Sequence, residues 1–462
     1  MKHNWLKIFT VSIFVSLLVF FALYSRLGVS PDGLDHLNFA INGIPRINLI
    51  GPAKQDFPIK YVHFYSTGYG YHYFINLVYK SLEILSSNSI NESYWFTPPF
   101  LSNWKLEVPA DKANLLVIIR IISVIFTCLQ VYMLKRICEI LEIDNIYPLV
   151  LLWLSFSMMF PFLHSNASRD VLINLLSICF AYNILSFHID RKVKNIKYAL
   201  LILAIAPFVQ FSLCALLVTF LASYAILCIK SFRNMIPEIL QIIILKRGYL
   251  FPVLLVIVAL PATVDMLNKF TQYKSIKPGC EKMFSFEECR EKNLSFKVYQ
   301  HLKVLKAKKK RISLIDYFKK WYPSLFMRIF GIMGHRSYIS PISFNFILIS
   351  IISLLFIISS ALAISCKNKN ILLIGLISFL YFFVIFYVNR QNYLLTGMIN
   401  AGFQGRYIFP VYPLMILFSN YCFINLNRIA YYSYVFLLFG ILFATYYMFL
   451  ESPNFKSIIA IY

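Results

Sequence analysis

Immediately after the first apolar segment the chain reads Ser30-Pro31-Asp32-Gly33-Leu34-Asp35-His36. Ser30 suits an N-cap and Pro31 the first helical position. A helix started there places Asp32, Asp35 and His36 at i, i+3 and i+4 on one face. Two carboxylates and an imidazole grouped this way suit a general base or a cation site. A polar cap that merely ends a membrane helix accounts for the same residues. Near the other end of the chain, Gly402-Phe403-Gln404-Gly405-Arg406-Tyr407 combines two glycines, an amide and an arginine. Arginine recognises phosphate bidentately, and glycines let backbone N–H groups approach it. The alternative is a structural turn with an arginine that snorkels to the interface.

Two further groups could join such a site. Arg169 and Asp170 are adjacent in His164-Ser165-Asn166-Ala167-Ser168-Arg169-Asp170, where Asp170 fits an ion pair or the favourable dipole end of a helix. Arg120 lies about seven residues into an apolar run, roughly 10 Å along a helix axis. An arginine at that depth needs an anion or a route to the interface. Tyr69-Gly70-Tyr71-His72-Tyr73-Phe74 opens a segment that suits an amphipathic interfacial helix. His63 and His72 carry no signal of their own.

The elements that must hold these groups are membrane helices. Of 462 residues, 59% are hydrophobic and only 14% charged, far from soluble composition. The net charge of +24 would suggest nucleic acid in a soluble chain. Here the cations lie mainly between apolar segments, where topology and anionic headgroups explain them, and no nucleic-acid-binding motif is present. Apolar stretches fall at 5–26, 113–133, 146–163, 169–187, 198–210, 212–230, 249–267, 343–365, 370–388, 407–424 and 429–450, which predicts about eleven spans. The first reads as a retained signal anchor. The pair between 198 and 230, interrupted by Pro207 and Gln210, is one kinked helix or two short ones.

Lys135-Arg136, Arg191-Lys192-Val193-Lys194 and Lys246-Arg247 place the N-terminus inside by the positive-inside rule. The whole chain then reads as a single polytopic membrane domain, 1–462. It carries two large extracytoplasmic loops, 27–112 with interfacial helices and 268–342, which is basic. Of nine cysteines, only Cys280 and Cys289 fall in a long outer loop, and their closeness in an oxidising compartment favours a disulfide over a zinc site. The run Lys303 to Arg311 reads as a solvated basic face or an attraction for lipid phosphate. The two glycines of Phe330-Gly331-Ile332-Met333-Gly334 permit a close backbone approach or a tight turn. No internal repeat supports a secondary transporter.

Together these fragments resemble the bacterial GT-C superfamily of polytopic glycosyltransferases, and within it a subgroup tied to cell-surface polysaccharide such as O-antigen and lipopolysaccharide. That subgroup carries P-D-E-x-x-H after the first span, an N-x-D-like element mid-chain, an F-G-x-x-G-x-x-D-like turn and G-x-Q-G-R-Y near the end. Here these match Pro31 to His36, Asn166 to Asp170, Phe330 to Gly334 and Gly402 to Tyr407. Two departures stand out: Gly33 replaces the Glu, and His335-Arg336 replaces the end of the turn motif.

The resemblance implies an all-α GT-C-like membrane fold in the bacterial inner membrane with its active site on the extracytoplasmic side. It implies inverting transfer of a sugar from a polyprenyl-phosphate donor to a glycan or lipid-linked glycan. Asp32 is then the first candidate for the base and Asp35 the second, with His36 orienting. Arg406, Gln404 and Arg120 would contact donor phosphate, supported by Arg169, Asp170, Gly405 and Tyr407. A divalent cation at the aspartates and histidine is compatible but not diagnosed by spacing. A donor synthase and a flippase are the implied partners. The rival readings are a flippase or transporter, or a polymerase, of lipid-linked oligosaccharides.

Overall fold

The computed structural model describes residues 4–25, 36, 39–40, 59, 62–83, 114–243, 250–293, 296, 300, 312–330, 332–333, 338–397, 399, 405–423, 427–452, 455 and 459. Asp32, Asp35, Gln404, the basic run 303–311 and most of the turn after Phe330 lie outside the described residues.

The chain is a helical bundle. Its elements are α1 (Asn4–Tyr24), α2 (Val62–Thr67), α3 (Gly70–Glu83), α4 (Asn114–Ile140), α5 (Tyr147–Phe156), α6 (Met159–His164), α7 (Arg169–Asp190), α8 (Val193–Val209) and α9 (Phe211–Leu227). There follow α10 (Ile229–Ile243), α11 (Leu250–Tyr273), α12 (Cys280–Met283), α13 (Phe286–Lys292), α14 (Leu314–Phe330), α15 (Ile342–Ser365), α16 (Lys369–Thr396), α17 (Tyr412–Ser419) and α18 (Arg428–Leu450). Among the described residues, seven helices are long and apolar enough to cross a membrane: α1, α4, α7, α11, α15, α16 and α18. Between α14 and α15 a two-residue ladder pairs Ile332 with Ile339 and Met333 with Tyr338, so part of the predicted turn is a small antiparallel hairpin.

Local sequence sets the helix ends. Ser168, Asn368 and Asn427 each cap a following helix with a side-chain oxygen, as short polar residues do. The helix α16 stops at Gly397, whose φ of 70° is the left-handed C-terminal conformation that glycine supplies.

Two stretches expected to span as single helices are broken. Residues 146–163 become α5 and α6, parted at Ser157, which has a non-helical ψ of 73°. Residues 407–424 become a 3₁₀ turn (Gly405–Ile408), the eight-residue α17 and a second 3₁₀ turn (Asn420–Phe423). Prolines explain the breaks, since Pro161, Pro410 and Pro413 cannot donate to a preceding turn. Every residue of α5, α6 and α17 is buried. Irregular backbone survives at membrane depth only when protein surrounds it, so these pieces form the centre of the bundle.

Three tyrosines of α18 fasten that centre. The Tyr431 hydroxyl donates to the Asn145 carbonyl (2.6 Å) and Tyr446 to the Ser155 carbonyl (2.9 Å), while Trp153 Nε1 donates to the Tyr434 hydroxyl (2.9 Å). Lipid supplies no hydrophobic drive between helices, so packing and such hydrogen bonds supply the association.

The stretch 198–230 resolves into two helices. Gln210 is extended (φ −168°, ψ 136°) between α8 and α9. The far end of α9 returns to the end of α7, just before α8: Tyr224 Oη lies 3.3 Å from Nδ1 of His188 in the last turn of α7. The pair is a hairpin, and the segment between α2 and α3 sits on its bend. Gly68, at φ +104°, approaches so closely that a Cβ would stand 2.9 Å from Gln210 Cα.

The two ends of the bundle are distinct. At one, Lys7 pairs with Asp144 (3.6 Å) and α18 begins. At the other, Ser25 bridges to Ile459, and the candidate residues gather there.

Candidate functional site

Asp170 is the second residue of α7, and its amide is held by the Ser168 side chain (3.3 Å). The cap fixes where the carboxylate emerges, at the end of the helix where negative charge is favoured. Opposite it the 3₁₀ turn presents Arg406, only 6% exposed, with Nε 3.2 Å from Asp170 Oδ2. The turn seats there because Gly405 packs directly on α14. A Cβ at Gly405 would meet the Arg328 Cβ at 2.7 Å and its carbonyl carbon at 2.8 Å. Beside Asp170, Arg169 Nη1 donates to the Thr67 hydroxyl at the end of α2 (2.8 Å).

Of the first cluster, His36 is described, and it packs against α3. His36 Nδ1 and His72 Nε2 lie 2.7 Å apart with their rings stacked, so one of these two nitrogens must carry the proton. Phe39 packs edge-on against His72, with ring centroids 4.8 Å apart. Tyr71, the residue before His72, is buried and its ring centroid stands 6.4 Å from that of His36. Burial pushes the Tyr71 phenol well above its ordinary range, partly offset by the nearby Ser123 hydroxyl and reinforced by the Asp170 charge. The Tyr71-His72 pair therefore sits against His36, and Tyr71 lies within the electrostatic reach of Asp170. His72 was invisible in sequence because an isolated histidine in an apolar helix has no spacing signal.

Arg120 reaches the end of α1. Its Nη1 donates to the Ser25 carbonyl (2.6 Å) and the Ala22 carbonyl (3.3 Å), the free carbonyls at the end of α1, where a cation is favoured. Tyr407 points outward at 39% exposure. The structure thus brings Arg169, Asp170, Gly405 and Arg406 together, sets His36 against His72, and gives Arg120 contacts with the end of α1.

A second polar knot anchors this region, and sequence reasoning missed it. Lys269 of α11 is fully buried, with Nζ 2.6 Å from Asp265 Oδ2 and 2.6 Å from the Tyr65 carbonyl. The Tyr69 hydroxyl donates to Asp265 Oδ1 (3.0 Å), and the ammonium stands 4.3 Å from the Tyr65 ring centroid. Burial, then the neighbouring Asp265 charge, holds the Tyr65 and Tyr69 phenols protonated. The available signal was Asp265 and Lys269 four residues apart in an apolar helix, a pairing distance. Cys280 and Cys289 are disulfide-bonded and pack with Val62, Tyr65 and Tyr69. Asn293 Nδ2 also donates to the Ile59 carbonyl (3.0 Å). The loop that begins at the disulfide thus bears on α2, which holds Arg169.

A separate apolar cleft of about 280 Å³ lies among α14, α15 and α16, lined by Phe318, Tyr322, Phe326, Ile357, Phe379 and Phe382 among others. It contains none of the charged groups above. Among the described residues, no group of three or more His, Cys, Asp or Glu is placed to hold a metal ion.

No family model and no curated protein matches the chain. Among solved structures the chain is similar to ArnT from Cupriavidus metallidurans, crystallised bound to undecaprenyl phosphate, with a TM-score of 0.52 and 12% sequence identity. The match covers 98% of this chain and 65% of that one, so the chain spans about two thirds of the length of the protein it resembles. At that identity the likeness is one of fold. The expected all-helical, multi-pass membrane architecture holds, and its fold is like that of ArnT.

Proposed function

We propose that the protein is an integral membrane glycosyltransferase. It moves a sugar from a polyprenyl-phosphate donor to an extracytoplasmic glycan or lipid-linked glycan, such as a cell-surface polysaccharide. The observation that carries this reading is Arg406, a buried guanidinium at a turn facing the start of α7, with Asp170 beside it. Such a guanidinium suits a phosphate. The GT-C-like fold is shared with a protein crystallised with undecaprenyl phosphate.

In the reaction a carboxylate takes the proton of the acceptor hydroxyl as that oxygen attacks the anomeric carbon from the face opposite the phosphate. The bond between the anomeric carbon and the phosphate oxygen breaks, and its electron pair leaves on polyprenyl phosphate, stabilised by Arg406 and Gln404. The configuration inverts. Asp32 is the first candidate for the base and Asp35 the second, with His36 orienting the carboxylates. A divalent cation would bind at the same carboxylates and His36. The site belongs on the extracytoplasmic side of the bacterial inner membrane, at the bilayer edge, because a polyprenyl tail cannot leave the bilayer. A synthase and a flippase would supply the donor.

The test is a transfer assay with purified protein in nanodiscs, a polyprenyl-phosphate sugar donor and candidate acceptors. The expected result is sugar transfer with stoichiometric release of polyprenyl phosphate, abolished by Asp32→Asn in a protein that still inserts. Transport of intact donor across a vesicle without release identifies a flippase instead. Full transfer by Asp32→Asn removes Asp32 from the role of base. Loss of activity in EDTA, restored by one divalent ion, assigns the cation.

A further inference from the structure

We propose that the cleft among α14, α15 and α16 is the site of one phospholipid of the surrounding bilayer, with an acyl chain in the cleft and its phosphate at Arg390. The inference does not depend on the transferase reading.

Cleft and cation share one face of α16. Phe379, Phe383, Phe386 and Arg390 recur at the three- and four-residue spacing of a single helix face, and the first two line the cleft. Phe386 links them to the arginine. Phe318, also in the cleft wall, packs edge-on against Phe386, with centroids 5.5 Å apart. Phe386 in turn lies 5.7 Å from the Tyr317 ring, which the Arg390 guanidinium covers at 5.0 Å.

The depth suits a lipid. The helix opens with the exposed Lys369 and reaches Arg390 twenty-one residues later, roughly 31 Å along the axis. That is about the thickness of the hydrocarbon core, so with Lys369 in one headgroup layer Arg390 stands in the other. Phe383 and Phe379 lie roughly 10 and 16 Å below it, where a chain hung from a phosphate at Arg390 must run. The cleft is open on that side: Phe383 is 42%, Phe379 48% and Ile357 65% exposed. No water is present at that depth, so an apolar cleft open to the bilayer takes hydrocarbon.

The charge selects the head. Among the described residues no carboxylate pairs with Arg390. Its Nη2 donates to the Ile312 carbonyl (3.2 Å), and the Tyr317 and Tyr393 rings flank the guanidinium, each 5.0 Å away. Ring faces and a carbonyl attract the cation without neutralising it. A partly exposed guanidinium at the edge of the hydrocarbon suits a phosphate. The phospholipid of the bilayer is the occupant because it surrounds the cleft in great excess over other phosphate-bearing lipids, and mass action fills the site with it. Bound there it braces α14, the helix on which Gly405 seats.

The experiment is native mass spectrometry of the full chain in detergent. The separate probes are phosphatidylglycerol, diacylglycerol with the same chains, and undecaprenyl phosphate. Wild type should bind phosphatidylglycerol about tenfold or more tighter than diacylglycerol, which lacks the phosphate. Arg390→Gln should erase that difference. Ile357→Trp puts a ring across the open mouth and should weaken both lipids by about threefold or more. Equal binding of the two lipids by wild type, or a preference kept by folded Arg390→Gln, overturns the phosphate contact. Unchanged binding by Ile357→Trp overturns the cleft as the chain site. If Arg390→Gln does not fold, the wild-type comparison and Ile357→Trp still decide. Tighter binding of undecaprenyl phosphate than of phosphatidylglycerol, lost in both variants, gives the cleft to a polyprenyl lipid and overturns the phospholipid assignment.

Discussion

Replacing Gly405 by Ala adds a single methyl group beside the proposed phosphate contact. Its Cβ would stand 2.7 Å from the Arg328 Cβ, 2.8 Å from the Arg328 carbonyl carbon and 3.0 Å from its oxygen. Ordinary contact begins at 3.4 Å, so the shortfall is 3.4 − 2.7, about 0.7 Å. The opposing atoms are backbone and a Cβ of α14, with no flexible side-chain end to yield. The turn Gly405–Ile408 must therefore retreat, carrying Arg406 by several tenths of an ångström from Asp170.

Overpacking of this kind costs about 1–3 kcal/mol, and misplacing a reacting group by up to about 1 Å costs up to about a hundredfold in rate. Gly405→Ala should therefore lower the thermal midpoint and cut sugar transfer by about ten- to a hundredfold. The control is Gly440→Ala in α18, where a Cβ meets nothing within 4 Å. It should leave both quantities near wild type. Both variants are purified in nanodiscs and compared by thermal unfolding and by initial transfer rate. Wild-type transfer by Gly405→Ala would falsify the claim that contact with α14 positions Arg406.

Other expected outcomes concern the supports around the site. Asp265→Asn leaves Lys269 charged and buried and should cost about 3–5 kcal/mol. The double variant Asp265→Asn/Lys269→Met should recover much of that in thermal unfolding, and equal damage in both would refute an electrostatic origin. Replacing Cys280 and Cys289 by Ser opens a loop of sequence separation 9 and should cost about 2–3 kcal/mol. Hydrogen exchange should rise first at Val62–Thr67 while the long helices stay protected; a uniform rise would argue against a local clamp. Arg120→Ala leaves the Ser25 and Ala22 carbonyls without their donor, at about 1–3 kcal/mol. Its thermal midpoint should drop while affinity for undecaprenyl phosphate stays unchanged, and a selective loss of affinity would return Arg120 to the phosphate.

What could be read in advance depended on which signals are local. Helix existence in the seven long apolar segments follows from composition alone, and Ser168 and Asp170 announce the start of α7. The adjacent Gly405 and Arg406 likewise mark a turn bearing a cation. The broken centre was not legible, because hydropathy cannot separate a lipid-facing span from a short helix enclosed by protein. Pro161, Pro410 and Pro413 were the clues, and each is tolerated in an unbroken membrane helix often enough to mislead. Distant partnerships were equally hidden. Nothing near His36 announces His72, and nothing near Lys269 announces the Tyr65 carbonyl, because these contacts depend on how loop and bundle dock. Arg120 shows a third limit: its depth signalled a need for a partner, and nothing local pointed to the Ser25 and Ala22 carbonyls that accept from it.

The tyrosine fastening of α5 by α18 also constrains how the protein is made. The helices α5 and α6, of ten and six residues, cannot each bridge a bilayer of about 30 Å. They leave the translocon long before α18 is synthesised. Until Tyr431, Tyr434 and Tyr446 arrive, the Asn145 and Ser155 carbonyls and the Trp153 indole N–H lack their final partners, although apolar surroundings penalise unmet polar groups. A chain that ends before α18 should therefore stay open at its centre, with α18 acting as the last stave of a barrel. A ribosome stalled before residue 428 should hold a chain whose central segment remains accessible to thiol labelling from water, and release of the full chain should close it.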